Sequence, residues 1–303
     1  MTLQAFSQRL RDRVQTEVQL APFTTWRIGG PAQFLVQAET LRDVADTVAG
    51  CRAANLPLYV LGGGSNLLIA DEGVRGVVLS LHAMKRMQPF GNKVLVQAGA
   101  NLGTLVNRCN QAGIGGLCGL AGIPGSVGGA LAMNAGGRYA EIAEFVERVV
   151  WLNPQGELES LYREEIDFAY RRSGLRFGVV IEAVLSGTHA DPAQLAARSR
   201  QIMHEKLSLQ PYQEFSAGCC FQNPMGHSAG RLIDLAGCKG MQVGGAKVSD
   251  RHGNFIVNSG EAKAEEVLQL MQQVTARVQV AHGVMLRPEV QMWPARDVLS
   301  LAA

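Results

Sequence analysis

A chain of 303 residues, 47% apolar and 18% charged, is long enough for two or three packed cores. A net charge of +2 provides no basic field for nucleic acid or an anionic membrane, and no apolar run reaches the roughly 20 residues that span a bilayer. The N-terminus, Met1 to Arg13, is polar and lacks the apolar stretch of a signal peptide, so a cytoplasmic protein is expected. The six cysteines are Cys51, Cys109, Cys118, Cys219, Cys220 and Cys238. None forms a Cys-x-x-Cys pair or a zinc spacing with histidine, so no metal site is predicted and most read as small buried hydrophobes.

In chain order, Leu41 to Asn55 reads as a helix with Leu41, Val44, Ala45 and Val48 on one face. Leu58 to Leu61 and Gly76 to Leu81 read as strands, and Lys93 to Ala98 is β-rich. Leu102 to Ala112 is a helix closed by Gly113. Phe145 to Leu152 and Glu157 to Leu161 are strands joined by the turn Asn153-Pro154-Gln155-Gly156. A strand from Val179 to Leu185 precedes a helix from Asp191 to Lys206. Leu207 to Ala217 holds Pro211 and little periodicity, which marks a domain boundary. His227 to Ala236 is helical and Asn254 to Asn258 a strand. Glu265 to Val280 is a helix with Val267, Leu270, Met271, Val274 and Val278 inward, and Val284 to Met292 a last strand interrupted by Pro288. The mix is α+β, with more sheet than a doubly wound fold gives.

Two glycine-rich loops stand out among 35 glycines. The first follows a strand: Leu61-Gly62-Gly63-Gly64-Ser65-Asn66. The second is Gly122-Ile123-Pro124-Gly125-Ser126-Val127-Gly128-Gly129, running on to Asn134-Ala135-Gly136. Glycine lets backbone N–H groups approach a ligand closely, and successive N–H groups form a nest that binds phosphate. Neither loop has the Gly-Lys-Ser/Thr of a nucleoside-triphosphate loop, and Leu67 stands where a Rossmann fingerprint needs its third glycine. Each loop alone is as readily a tight turn as a ligand loop. Together they suggest a long phosphorylated ligand, such as a dinucleotide gripped at more than one place.

From Thr25-Trp26-Arg27-Ile28-Gly29-Gly30-Pro31-Ala32 to Pro288-Glu289-Val290 the chain resembles the UDP-N-acetylenolpyruvoylglucosamine reductase family. The blocks that carry the resemblance are Leu61 to Leu68, Gly122 to Gly136, Tyr170-Arg171-Arg172-Ser173, Ser216 to Pro224, Gly240 to Gly245 and Leu286 to Val290. It implies an FAD-binding fold of the vanillyl-alcohol-oxidase type. Two α+β subdomains, 1–80 and 81–207, would clamp FAD. A C-terminal α+β substrate domain, 208–303, would return its last strand to the FAD domain. The implied reaction uses NADPH to reduce FAD, then passes a hydride from flavin N5 to an enolpyruvyl ether and adds a proton at the neighbouring carbon. UDP-N-acetylmuramate for peptidoglycan is the product.

The resemblance also assigns roles. Leu61 to Asn66, Gly122 to Gly128, Asn134, Ala135, Gly136 and Ile181 would hold FAD, non-covalently because the first loop has no histidine or cysteine for attachment. Arg171 would hold the enolpyruvyl carboxylate as charge develops, with Arg172 a surface ion-pair residue. Cys219, in Ser216-Ala217-Gly218-Cys219-Cys220-Phe221, stands where the family has its proton-donating serine. A free thiol, with a pKa of ~8.5, is a competent acid at neutral pH and would ionise, and react with alkylating agents, above that value. Glu289 would face the intermediate from the other side. Tyr170, Asn223, Gln242 and, more loosely, Lys206 would touch the sugar nucleotide, while His227 and His252 read as structural or rim residues. The tyrosine-bearing insert of the family's longer subtype is absent. Competing readings are another FAD oxidoreductase of this fold, such as a hydroxyacid or sugar-lactone oxidase, and a catalytically silent nucleotide-binding protein. The first lacks a reason for the Ser216 to Pro224 block, and the second lacks one for Arg171 and Glu289.

Overall fold

A computed structural model describes residues 8–11 and 13–294. The segment Met1 to Arg13, expected to lack a signal peptide, lies mostly outside the described residues, as do residues 295–303. Among the described residues three sheets of four or five strands organise the fold. The first has the strand order Val14–Gln19, Pro31–Gln37, Val74–Ser80, Leu58–Leu61, antiparallel at its outer pair and parallel within. The parallel pairs follow from the helix Leu41–Ala53, which carries the chain back across the sheet before Leu58. Thr40 and Asp43 cap that helix reciprocally. The second sheet is antiparallel, in the order Leu158–Tyr162, Val146–Leu152, Val179–Ser186, Lys93–Gln97, Met87–Phe90. The third, also antiparallel, joins Phe215–Ser216, Ile256–Asn258, Ala246–Val248 and Gln242–Val243.

One core runs under the first two sheets, with Phe34, Val77 and Leu79 packed into the same cluster as Val94, Val149 and Ile181. A second core belongs to the C-terminal region. There the helix Ala264–His282 buries Val267, Leu270, Met271, Val274 and Val278, the five positions the sequence pattern turns inward. Each such side chain contributes roughly 1.5–3 kcal/mol when fully withdrawn from water. Trp26, Ile28 and Leu68 from the first region are part of this second core, and the Trp26 indole N–H donates to the Ile256 carbonyl at 2.7 Å. The C-terminal region is thereby anchored to the entrance of the first glycine loop.

The structure corrects some of the expected elements. Val14–Gln19 and Pro31–Gln37 are strands beyond those expected from the sequence; the first is a largely exposed edge strand with little apolar alternation. The last strand is only Gln291–Trp293, paired in parallel with Leu67–Ile69. Pro288 has no N–H for a ladder, and makes an isolated bridge with Phe221 instead. Gly113 does follow its helix with φ 70°, the left-handed stop expected of it.

Candidate active site

The parallel pairing of Gln291–Trp293 beside the first glycine loop makes the site. The Asn66 amide donates to the Glu289 carbonyl at 3.2 Å, and the Asn66 carbonyl accepts from Gln291 N–H at 2.9 Å. One cleft of about 960 Å³ results, walled by Gly62 to Asn66, by Gly122 to Ser126 and by Arg171, Cys219 and Glu289. The two glycine loops, expected to grip one ligand at more than one place, abut. A Cβ on Gly63 would lie 2.6 Å from the Gly125 Cα, so only glycine permits this approach, and Gly125 itself has φ 112°. The backbone N–H groups of Gly63, Gly64, Ser65, Asn66, Gly125 and Ser126 have no acceptor among the described residues. A continuous wall of unpaired donors fits the diphosphate of a flavin dinucleotide.

Among the other residues assigned to the cofactor, Gly128, Ala135 and Gly136 line the cleft. Leu61, Val127, Asn134 and Ile181 do not. Leu61 and Val127 are fully buried in the core. Ile181 alternates with Val180, and it is Val180 that faces the cleft. The Asn134 amide donates to Glu141 at 2.9 Å and to the Ala169 carbonyl at 3.1 Å, while its Oδ1 accepts from Ala143 N–H at 3.3 Å. Asn134 therefore braces the segment leading to Arg171.

Arg171 takes φ 57°, a left-handed backbone uncommon outside glycine, and strain of this kind is concentrated at functional sites. The turn sends its guanidinium over the Tyr170 ring, 4.9 Å from the centroid, and brings Nε within 2.8 Å of Glu289. The approach is close but off the N–H direction, so Nε keeps no aligned acceptor. Arg171 and Glu289 are 17% and 15% exposed, so little water screens the pair. Arg172 instead meets Asp167 at 3.8 Å on the surface. Burial pushes the Cys219 thiol up to about 12, with Glu289 adding to the rise and Arg171 and Asn254 opposing it. Burial likewise raises the Glu289 carboxyl against the pull of Arg171. The thiol keeps its proton far above the range expected for a free cysteine.

The residues assigned to the sugar nucleotide scatter. Tyr170, Asn223 and Gln242 do not line the cleft. The Tyr170 hydroxyl accepts from Asn223 N–H at 3.4 Å, Asn223 Oδ1 accepts from Ala229 N–H, and the Gln242 amide donates to the Gly244 carbonyl. Lys206 does line it, where its ammonium donates to the Ala121 carbonyl at 2.6 Å and burial lowers its pKa to about 8. Beside it the Tyr212 hydroxyl donates to the Gly122 carbonyl at 2.5 Å. Tyr212 and Asn254 escaped the sequence reading because each acts through backbone bonds to residues far away in the chain.

A family model for the C-terminal domain of UDP-N-acetylenolpyruvoylglucosamine reductase matches residues 210–293, and one for an FAD-binding domain matches residues 32–162. UDP-N-acetylenolpyruvoylglucosamine reductase 2 of Symbiobacterium thermophilum is 39% identical over 284 residues, covering 93% of this chain and 92% of that protein. The chain belongs to the UDP-N-acetylenolpyruvoylglucosamine reductase family. The Bacillus subtilis reductase is 38% identical over 294 residues, covering 96% of this chain and 97% of its own. The solved reductase of Thermus caldophilus superposes with a TM-score of 0.81 at 40% identity, over 93% of this chain and 99% of that one. Like the rest of this reductase family, the chain is an FAD-dependent oxidoreductase of α+β fold. No helix among the described residues is long and apolar enough to cross a membrane.

Proposed function

We propose that this chain reduces UDP-N-acetylglucosamine enolpyruvate to UDP-N-acetylmuramate in the cytoplasm, with NADPH as reductant, and so supplies peptidoglycan synthesis, cell shape and division. Bound FAD, held non-covalently by the two glycine loops, supplies the two-electron carrier between NADPH and the enolpyruvyl double bond. Arg171 binds the carboxylate beside that bond and stabilises the enolate charge that builds there, through the guanidinium nitrogens other than the Nε that lies against Glu289. Cys219 gives its proton to the carbon next to the carboxylate; burial first, and the neighbouring Glu289 second, keep that proton on sulfur until it is needed. Lys206 offers its ammonium to a substrate phosphate from the same cleft wall.

The observation that carries this reading is the convergence of Arg171, Cys219 and Glu289 on the cleft walled by both glycine loops. The test starts from the purified yellow protein. Acid precipitation should release FAD into the supernatant. NADPH should bleach the flavin without air, and UDP-N-acetylglucosamine enolpyruvate should restore the colour while gaining two hydrogens by mass. Colour retained in the pellet, FMN in place of FAD, or no reoxidation by that substrate would overturn the proposal.

A further inference from the structure

Cys219 and Cys220 are adjacent, yet Cys219 lines the cleft and Cys220 is 1% exposed in the core. The strand Phe215–Ser216 has ended before them, and Gly218 turns through φ 75°. No helix or strand of the third sheet reaches them; the isolated bridge of Phe221 with Pro288 pairs one side of the segment, and Asn254 restrains the other. Asn254 is 2% exposed. Its Oδ1 accepts from Phe221 N–H at 2.9 Å, its amide donates to the Phe221 carbonyl at 2.8 Å, and its main-chain carbonyl accepts from Cys220 N–H at 2.9 Å. An asparagine amide has two N–H donors. With one on Phe221 the other is left over, and Asn254 is among the groups that pull the Cys219 pKa down against burial.

Asn254 is itself held. Its N–H donates to His252 Nδ1 at 3.2 Å, and burial favours the neutral ring whose nitrogen can accept. The segment it grips is stitched to the other side of the site as well, because the Cys220 carbonyl accepts from Glu289 N–H at 2.8 Å.

The geometry points to Asn254 as the positioning residue of the proton donor, a role that rests on the proposed function of Cys219. Through its bonds to Cys220 and Phe221 it fixes the backbone that sets the Cys219 sulfur on the cleft wall. In the proton-transfer step the S–H bond breaks, a C–H bond forms at the carbon beside the carboxylate, and the thiolate regains a proton from water. A misplacement of about 1 Å at such a group slows chemistry by roughly 100-fold.

The experiment is a double-mutant cycle on the FAD-loaded enzyme, with each half-reaction followed by stopped flow. Asn254→Ala should slow reoxidation by substrate roughly 10- to 100-fold and raise its solvent deuterium isotope effect, with flavin reduction by NADPH within about twofold of the parent. Placed on Cys219→Ala, the same change should slow reoxidation by no more than about twofold, since the group it positions is gone. An equal loss in both backgrounds, or an equal loss in both half-reactions, overturns the positioning role while leaving Cys219 as donor. A fully active Cys219→Ala removes the donor, and the proposal falls with it. Should Asn254→Ala not retain flavin, Asn254→Asp keeps the acceptor for Phe221 N–H and puts a carboxyl oxygen in place of the amide donor. Parent-like reoxidation by Asn254→Asp likewise overturns the role.

Discussion

A thiol that serves as acid must be protonated when it acts, and the surroundings of Cys219 set how far into alkali that holds. Its pKa is pushed up to about 12, first by burial and then by Glu289. At pH 9 the thiol is about three units below its midpoint, so about one in a thousand is ionised, against most of a free cysteine population with a pKa of ~8.5. The reoxidation half-reaction should thus show no fall traceable to Cys219 between pH 7 and 10, and iodoacetamide should alkylate this thiol far more slowly than an exposed one. Cys219→Ala should slow reoxidation by ~10²–10⁴, the usual contribution of a general acid, while Cys219→Ser keeps substantial activity. Stopped-flow reoxidation from pH 6 to 10, with the three proteins side by side, is the assay. A decline near pH 8.5 that disappears in Cys219→Ser would refute the assigned environment; a fully active Cys219→Ala would remove the residue from the mechanism.

Arg171→Ala should leave bleaching by NADPH nearly intact and slow reoxidation by ~10²–10³, the loss expected for one transition-state charge contact; equal damage to both half-reactions would count against its placement. Lys206 loses its charge as pH rises through about 8, so by pH 9 the charged fraction has fallen about tenfold. The KM for the sugar nucleotide should rise by about that factor between pH 7 and 9, and a Lys206→Gln enzyme with the same step would rule Lys206 out as its source. Gly63→Ala places a Cβ 2.6 Å from the Gly125 Cα and forces the two loops apart. The variant should purify folded by circular dichroism but colourless, and full flavin occupancy would contradict the close approach.

The sequence alone determined what local chemistry sets. The helix Ala264–His282 and its inner face were legible because a helical period has to meet the core with one stripe. The helix Pro192–Leu209 begins where Asp191 caps it and Pro192 has the right φ for a first turn. The glycine loops were legible because close backbone approach excludes every other side chain. Motif order carried Arg171, Cys219 and Glu289 to one reaction.

What only the tertiary structure decided is which of these groups meet and in what state. No local signal says that Gln291–Trp293 pairs in parallel with Leu67–Ile69, and that pairing brings Glu289 to the first loop. Asn134 and Gln242 belonged to the expected motifs, and here their amides donate to Glu141 and to the Gly244 carbonyl, while Asn223 Oδ1 accepts from Ala229 N–H. The Cys219 proton is held by burial and by a carboxylate from the far end of the chain. Hydrogen bonds and fields act through space at a few ångströms, whereas propensity and periodicity act along a few residues of chain. The sequence could therefore specify the wall and the reagents of the site. Only the long-range pairings could fix their distances, their partners and their protonation.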